Sequence, residues 1–205
     1  GPVELELPGG VTRSGARIDL TPTTAQLSGG LPVGNSGKAA IWQAVSVSGV
    51  QNAPAPAARE GLRIKRYFFK RDGSPVNLDD IRQNDVFLVV LEGESTTKLY
   101  HQLAVTHPLP AGWEIENPRF GAGGTSDLSW LTDLSVPNSV ESRDDRFTAA
   151  VDIAEGGPQT FKLAFMVRAV TPGSYELPGA SVEDMYKPRF HARQAAGRIA
   201  VKPAQ

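Results

Sequence analysis

The sequence predicts an all-β protein: an antiparallel β-sandwich, immunoglobulin-like or fibronectin-like, with a smaller N-terminal β segment and at most one short helix. Two observations lead to this prediction. Several short runs alternate apolar and polar residues, which is the period of a strand with one buried face. Proline and glycine are frequent, with 16 and 21 of the 205 residues, and they separate these runs as turns separate short strands. This length allows one large domain or two small ones.

The first part of the chain contains few candidate strands. Val3–Leu7 alternates apolar and polar residues before a Pro-Gly-Gly turn, and Arg17–Leu20 alternates again. Lys38–Val50 is the strongest candidate of this part, because apolar residues occupy both of its faces around Trp42 before serines make one face polar. Three or four strands are few for a complete sandwich, so we expect only a small β segment here.

A linker follows this segment. Gln51–Ala58 consists of small residues and prolines, and the prolines stiffen the chain. We therefore place the domain boundary here. Residues 1–57 are expected to hold the β segment with its linker, and residues 58–205 the main β-sandwich domain.

Several runs in the second domain predict strands. They are Leu62–Lys70, Asp85–Leu91, Tyr100–Thr106, Ser174–Leu177 and a last strand at Ile199 and Val201. Asp85–Leu91 is almost continuously apolar, so we expect a central strand that is covered on both faces. Asp72-Gly73 follows the first of these runs and predicts a tight turn.

The two clearest alternating runs are Phe147–Ile153 and Phe161–Val167. Residues 155–158, Glu-Gly-Gly-Pro, have the composition of a turn. We therefore expect these two strands to pair as a hairpin with a short loop.

One stretch is helix-like. Asp127–Leu134 carries leucines at three-residue spacing, and Ser126 stands before it as a candidate N-cap. The sequence predicts the one short helix of the domain at this position.

Charge and cysteine content exclude several classes of function. The 21 basic and 22 acidic residues give a net charge of −1, so no basic surplus is available to neutralise a run of phosphates, and nucleic-acid binding is disfavoured. There is no cysteine, which excludes disulfides, thiolate zinc sites and cysteine nucleophiles. No apolar run in the sequence is long enough to span a membrane, and we expect no signal peptide in this stretch. Nothing in the sequence indicates a cofactor.

Catalytic machinery is hard to find. The histidines are His101, His107 and His191. They include no pair at the spacing of helical metal ligands, so we expect scattered surface or interface histidines and no metal site. No G-x-S-x-G elbow of a serine hydrolase occurs. Glu114, Glu116 and the Asp144-Asp145 pair are expected to be solvated charges that form cross-strand ion pairs. We expect a protein that is not an enzyme.

The pair Met185-Tyr186 is the candidate functional site. Pro178-Gly179 and Pro188 bracket the pair tightly, and charged residues stand on either side of it. Two alternatives are open. A methionine and a tyrosine near a strand end are often packed in a core, whereas the charged flanks suit a projecting edge.

Three stretches carry a resemblance to a known family. They are TPGSYELPGASVEDMYKPRF (Thr171–Phe190), LPAGWEIENPRF (Leu109–Phe120) and SRDDRF (Ser142–Phe147). In this order they resemble the C-terminal end of the bacterial alpha-macroglobulins, large periplasmic proteins that entrap peptidases and consist mostly of a row of β-sandwich domains. The resemblance spans roughly Gly61 to Val201. Residues 3–55 resemble the preceding domain more loosely. Either another part of the parent completes the sheet of this segment, or the segment carries a smaller sheet of its own.

The resemblance implies a macroglobulin-like fold and a role inside a larger parent. The chain would be an excised piece whose partners are the other domains of the parent and, through the parent, target peptidases. The parent would be periplasmic, with a lipid anchor to the inner membrane as one arrangement. In thioester-bearing members, a Met-Tyr pair on the last domain shields the thioester from water. Met185 and Tyr186 would be that lock or an interdomain contact, and the chain leaves open whether its parent bears a thioester.

A different class of function is an adhesion or carbohydrate-binding β-sandwich module. Such modules bind sugars on a flat face with exposed aromatic rings. Exposure of Trp42 and Trp113 on such a face would favour this alternative.

Overall fold

The computed structural model describes residues 3–7, 11–46, 48, 53–117 and 128–204. They form two compact units, Gly1–Val50 and Gln51–Gln205. Nearly all regular structure is antiparallel β-sheet, so the predicted fold class is confirmed. Among the described residues, no helix is long and apolar enough to cross a membrane.

The first unit is built on a small antiparallel sheet. Strand β1 (Val3–Leu7) lies between β2 (Val11–Gly15) and β3 (Gly34–Asn35). The side chain of Leu5 is buried. A four-residue helix, α1 (Thr24–Leu27), was not foreseen from the sequence.

Two predicted strands of this unit are wrong. Arg17–Leu20 has no regular structure, and Arg17 pairs instead with Asp19. In the predicted strand 38–50, the described residues 38–46 and 48 form no strand, and the side chain of Trp42 is fully exposed. The remaining residues of that prediction lie outside the described part. A strand is stabilised by hydrogen bonds to a neighbouring strand, and the sheet of this unit gives these residues no such neighbour.

The second unit is a β-sandwich. Its strands are β4 (Ala58–Glu60), β5 (Leu62–Phe69), β6 (Val86–Ser95), β7 (His101–Pro108), β8 (Trp113–Asn117), β9 (Ser139–Arg143), β10 (Arg146–Ile153), β11 (Thr160–Ala169), β12 (Gly173–Leu177), β13 (Ser181–Asp184), β14 (His191–Arg193) and β15 (Gly197–Val201). One sheet has the order β4-β14-β13-β7-β10-β9 and the other the order β5-β6-β11-β8, while β12 pairs with β15. A 3-10 turn, Leu78–Asp80, lies between β5 and β6.

The core lies between the two sheets. The rings of Phe147 on β10 and Phe165 on β11 stack with centroids 4.2 Å apart, and they come from opposite sheets. Trp113 packs edge-on against Phe68 and Phe87 at 5.8 and 4.9 Å. Apolar residues at every second position supply this core, which is why the alternating runs predicted strands correctly.

Strand β6 is central, as the apolar run predicted. It pairs with β5 on one side and β11 on the other, and residues 87–91 are buried on both faces. On the outer face, Leu88 packs with Leu128 and Met166.

The predicted hairpin of Phe147–Ile153 with Phe161–Val167 is wrong. Strand β10 pairs with β7 and β9, whereas β11 pairs with β6 and β8 in the other sheet. Residues 154–159 therefore cross from one sheet to the other. Both strands carry large apolar side chains on one face, and these faces meet across the sandwich instead of lying side by side.

The predicted helix over Asp127–Leu134 is also wrong within the described residues 128–134. One turn forms, in which the N–H of Leu131 donates to the carbonyl of Leu128 at 2.9 Å, and no helix follows. Ser135 then donates from its backbone to the carbonyl of Lys162 on β11 at 2.8 Å. Leu128 is buried with Leu88 and Met166 on the outer face of the four-stranded sheet, and Leu131 packs partly against them. Ser126 and Asp127 lie outside the described residues.

Candidate functional site

Met185 and Tyr186 lie on the turn that joins β13 to β14, residues 185–190, called the 185–190 turn below. Strand β13 ends at Asp184, and both side chains stand at the surface, with 46% of Met185 and 74% of Tyr186 exposed. Core packing, one of the two alternatives that the sequence left open, is therefore wrong for this pair. The chain presents a large aromatic ring on a short turn.

Backbone hydrogen bonds tie the turn to strand β7. The N–H of Met185 donates to the carbonyl of Gln102 at 2.9 Å, and the N–H of Asp184 donates to the carbonyl of Phe190 at 3.0 Å. Lys187 contributes its ammonium group, which donates to the carbonyl of Tyr100 at 3.3 Å. The two ends of the turn are thus closed on each other and fastened to the neighbouring strand.

Asp184 lies under the turn and is only 2% exposed. Its Oδ1 accepts from the backbone N–H groups of Tyr186 and Lys187 at 2.9 and 2.8 Å, and its Oδ2 accepts from Nδ1 of His101 at 2.7 Å. Burial by itself raises the pKa of Asp184, but the hydrogen bonds from His101 and the two backbone N–H groups outweigh it, so the pKa lies below its ordinary value. The group is therefore a buried carboxylate with N–H donors at both oxygens.

His101 continues this network away from the turn. Its Nε2 lies 2.5 Å from Oγ1 of Thr97, which lies 2.9 Å from Oγ of Ser95. The ring of Phe190 packs against the imidazole at 5.1 Å with an interplanar angle of 82°. Since Nδ1 donates to the carboxylate, Nε2 of a neutral ring accepts from the threonine hydroxyl.

The expectation of surface histidines is wrong for His101 and His107, which are both 0% exposed. Both lie on β7, where every second side chain points into the core. The signal was present, because residues 101, 103, 105 and 107 share one face of an alternating run. The expectation failed because polar residues are seldom fully buried without a partner, and sequence does not show the partner.

The order hydroxyl, imidazole, carboxylate along Thr97, His101 and Asp184 is also the order of groups in hydrolase triads. A hydrolase needs its imidazole to reach a substrate and a leaving group. His101 is fully buried against Phe190, and both oxygens of Asp184 are occupied by the turn and the imidazole. The arrangement therefore acts as an internal support.

Two further exposed residues adjoin the turn and were not singled out from the sequence. Leu99 is 39% and Tyr100 is 42% exposed, and they precede β7 directly. The hydroxyl of Tyr100 donates to Asp152 at 3.3 Å. Partial burial and the charge of Asp152 raise the pKa of the tyrosine. Together with Met185 and Tyr186, these side chains extend the apolar surface at this end of the sandwich.

A second buried network links the two sheets. Arg66 on β5 donates from Nη1 to the carbonyl of Pro178 at 2.6 Å and to Nε2 of His107 at 2.9 Å. Burial and the charge of Arg66 lower the pKa of His107 to about 3, and burial lowers the pKa of Arg66 to about 10. His107 is fully buried and Arg66 and Pro178 are half-buried, so most of this network lies inside the sandwich.

Glu116 and Trp113, two further residues considered from the sequence, have structural roles. Arg168 donates to Glu116 across strands β11 and β8 at 2.7 Å, which is an ion pair of the expected kind. The side chain of Trp113 is only 2% exposed, so it is a core residue and offers no sugar-binding surface. Across the described residues, no group of three or more histidines and carboxylates lies close enough to hold a metal ion.

The chain is similar to a known protein family and to individual members of it. The model of the bacterial alpha-2-macroglobulin MG10 domain matches residues 61–189. The alpha-2-macroglobulin of Escherichia coli (strain K12) is 38% identical over 177 residues, which cover 81% of this chain and 10% of that protein. The alpha-2-macroglobulin of Xylella fastidiosa (strain Temecula1) is 32% identical over 184 residues, 86% of this chain and 11% of that protein. The chain thus spans about a tenth of the length of these curated relatives.

Solved structures of bacterial alpha-2-macroglobulins share the fold of this chain. Native alpha-2-macroglobulin from Escherichia coli, from domain MG7 to the C-terminus, matches with a TM-score of 0.80 and 28% identity, covering 99% of this chain and 33% of that one. Salmonella alpha-2-macroglobulin reacted with methylamine matches with a TM-score of 0.76 and 29% identity, covering 99% and 13%.

Proposed function

Because the chain belongs to the bacterial alpha-2-macroglobulin family, we propose that it is the C-terminal part of a broad-spectrum peptidase inhibitor that acts by entrapment. In this proposal the parent is periplasmic, and a lipid anchor to the inner membrane is one arrangement for it. The chain contributes no catalytic step. Its own task is to dock on a neighbouring domain of the parent through the 185–190 turn.

One observation carries this proposal: Tyr186 is 74% exposed on a turn that is otherwise firmly fixed. Tyrosine has few rotatable bonds, so a fixed backbone presents the ring at a small cost in entropy, and such rings make large contacts at interfaces. Met185 beside it adds a flexible apolar side chain that adapts to a partner surface. The pair therefore suits a docking contact.

Shielding is the second part of the proposed task. Where the parent bears a thioester, Met185 and Tyr186 would cover it, because an aromatic ring and a thioether exclude water and amines from an acyl bond. The chain itself has no cysteine, so a thioester of the parent belongs to another of its domains. Where the parent bears none, the same pair serves as an interdomain contact alone.

The test is the substitution Tyr186→Ala, made both in the 205-residue chain and in the full-length parent. Truncation of an exposed ring removes few packing contacts, so we expect the unfolding free energy of the 205-residue chain to fall by less than about 1 kcal/mol. A buried ring would lose about 3–5 kcal/mol. In the parent, we expect a lower first melting transition and, where a thioester is present, faster consumption of that thioester by methylamine.

Tyr67→Ala is the matched control, because this tyrosine is also partly exposed, at 36%, and lies on β5 in the other sheet. It should leave methylamine consumption and the first transition of the parent unchanged. A large loss in the 205-residue chain with Tyr186→Ala would show a core role. Identical behaviour of the wild-type and Tyr186→Ala parents would refute the docking proposal.

A further inference from the structure

We propose that Asp184, anchored by His101, is the positioning residue of the 185–190 turn and fixes the direction in which Met185 and Tyr186 are presented. This inference rests on the proposed docking function. It assigns that function a second set of residues, which are buried and make no contact with the partner themselves.

The first support is the way the carboxylate holds the turn. Oδ1 of Asp184 accepts from two consecutive backbone N–H groups, those of Tyr186 and Lys187. These are the backbone groups from which the exposed ring projects. An aspartate that accepts from N–H groups two and three residues later fixes the local backbone as a helix N-cap does.

The second support is that the carboxylate is itself fixed from behind. Oδ2 accepts from His101 on β7, and the imidazole is held on its other side by Thr97, which contacts Ser95 at the end of β6. Strand β6 belongs to the four-stranded sheet and β7 to the six-stranded sheet. The turn is thus connected through side chains to both layers of the sandwich.

The third support is the packing around the imidazole. Phe190 closes the turn and lies edge-on against His101 at 5.1 Å. Gly61 lies behind that ring with φ +66°, and a Cβ there would come within 2.6 Å of the Phe190 ring. The Phe190 ring therefore has little freedom to move, and this packing holds the 185–190 turn in one position.

Substitutions at two neighbouring carboxylates separate positioning from general stability. Asp184→Ala removes the acceptor of both N–H groups, whereas Asp184→Asn keeps an oxygen that accepts from them. Glu183→Ala is the matched control, because Glu183 is the preceding residue of the same strand and is exposed. His101→Phe is a second variant that keeps a ring against Phe190 but removes the donor to Oδ2.

The readout in the 205-residue chain is amide hydrogen exchange, residue by residue. Asp184→Ala should accelerate amide exchange at Tyr186 and Lys187 about tenfold more than at interior amides of β7, such as that of Val105. The reason is that the loss of a hydrogen bond to a charged acceptor raises the exchange rate of the donor amide by about this factor. Asp184→Asn should restore most of the protection, and Glu183→Ala should change nothing. His101→Phe should accelerate exchange at the same two amides, and this variant replaces Asp184→Ala in the test if Asp184→Ala does not fold.

The contrary result in this chain is equal acceleration at all amides, which would show that Asp184 only stabilises the fold. Failure of Asp184→Asn to restore protection would also overturn the positioning role. Selective loss of protection at the two amides would support it.

The full-length parent then separates this inference from the proposed function. If Tyr186→Ala and Asp184→Ala both lower the first melting transition, both ideas are supported. If only Tyr186→Ala does so, the docking function holds and the positioning role is overturned. If neither does so while the turn loosens in the 205-residue chain, Asp184 holds the turn but the proposed docking function is wrong.

Discussion

At the residue scale, we expect His107, the buried histidine at the end of β7 away from His101, to make the fold less stable in acid. His107 is 0% exposed, and it faces the guanidinium of Arg66 at 2.9 Å. The unfolded imidazole takes up a proton near pH 6.5, whereas the folded one, with a pKa of about 3, does not. Between these values the unfolded state binds more protons, so stability falls as the pH is lowered.

His107→Gln should flatten this dependence. Between pH 6 and 4, we expect the wild-type chain to lose about 1.4 kcal/mol of unfolding free energy per pH unit through this one group. The variant should lack that slope even if it is less stable at neutral pH. Denaturant unfolding at three or four pH values measures it. His191→Gln, at a partly exposed histidine, is the control, and equal slopes for wild type and His107→Gln would contradict the assignment.

At this scale the sequence singled out Met185 and Tyr186 and left open whether they are exposed, and it did not indicate the residues that support them. The proline brackets around Met185 and Tyr186 indicated a firm turn, and the structure shows both side chains at the surface. Asp184 was counted only as a charged flank, because aspartate is rarely buried. Its partner His101 is 83 residues away in sequence, so no local pattern could join the two.

At the scale of elements, strands were easier to predict than their pairing. The alternating runs of β10 and β11 are both correct as strands, but their assignment as a hairpin is wrong. A short connection with turn residues suits either a hairpin or a crossing between two sheets. Which of the two forms depends on the strands that pair with β10, and in this chain β7 and β9 occupy both of its edges.

A double-mutant cycle tests the crossing. Phe147→Ala and Phe165→Ala should each cost about 3–5 kcal/mol, because both rings are fully buried. Since the rings stack across the sandwich, the double variant should lose less than the sum, with a coupling of about 0.5–1.5 kcal/mol. Chemical denaturation of the four proteins gives the coupling, and strict additivity would contradict the cross-sheet contact.

The first unit shows the limit of period-two patterns. Residues around Trp42 have the composition of a strand covered on both faces, and yet the described residues form none. Such a pattern indicates that both faces of a segment are apolar enough to be buried. It does not show whether a neighbouring strand is present to pair with the segment. In contrast, Val3–Leu7 has neighbours on both sides and forms the predicted strand.

At the scale of the whole molecule, the predicted boundary can be tested by limited proteolysis. Residues 53–57 have no regular structure, and four of the five are exposed, so we expect the first cuts near Ala53 to Ala58. A stable piece beginning near residue 58 should remain folded, because β4 (Ala58–Glu60) is the first strand of the large sheet. Early cutting inside Phe161–Val167, with resistance at the linker, would refute the boundary.

The central claim is that the 185–190 turn meets another domain in the parent, and oxidative footprinting tests it most directly. Hydroxyl radicals oxidise exposed methionine and tyrosine side chains, so Met185 and Tyr186 report their own exposure without substitution. We predict that both oxidise several times more slowly in the full-length parent than in the 205-residue chain, with buried Met166 slow in both. Equal oxidation of Met185 and Tyr186 in the two proteins would contradict the docking claim.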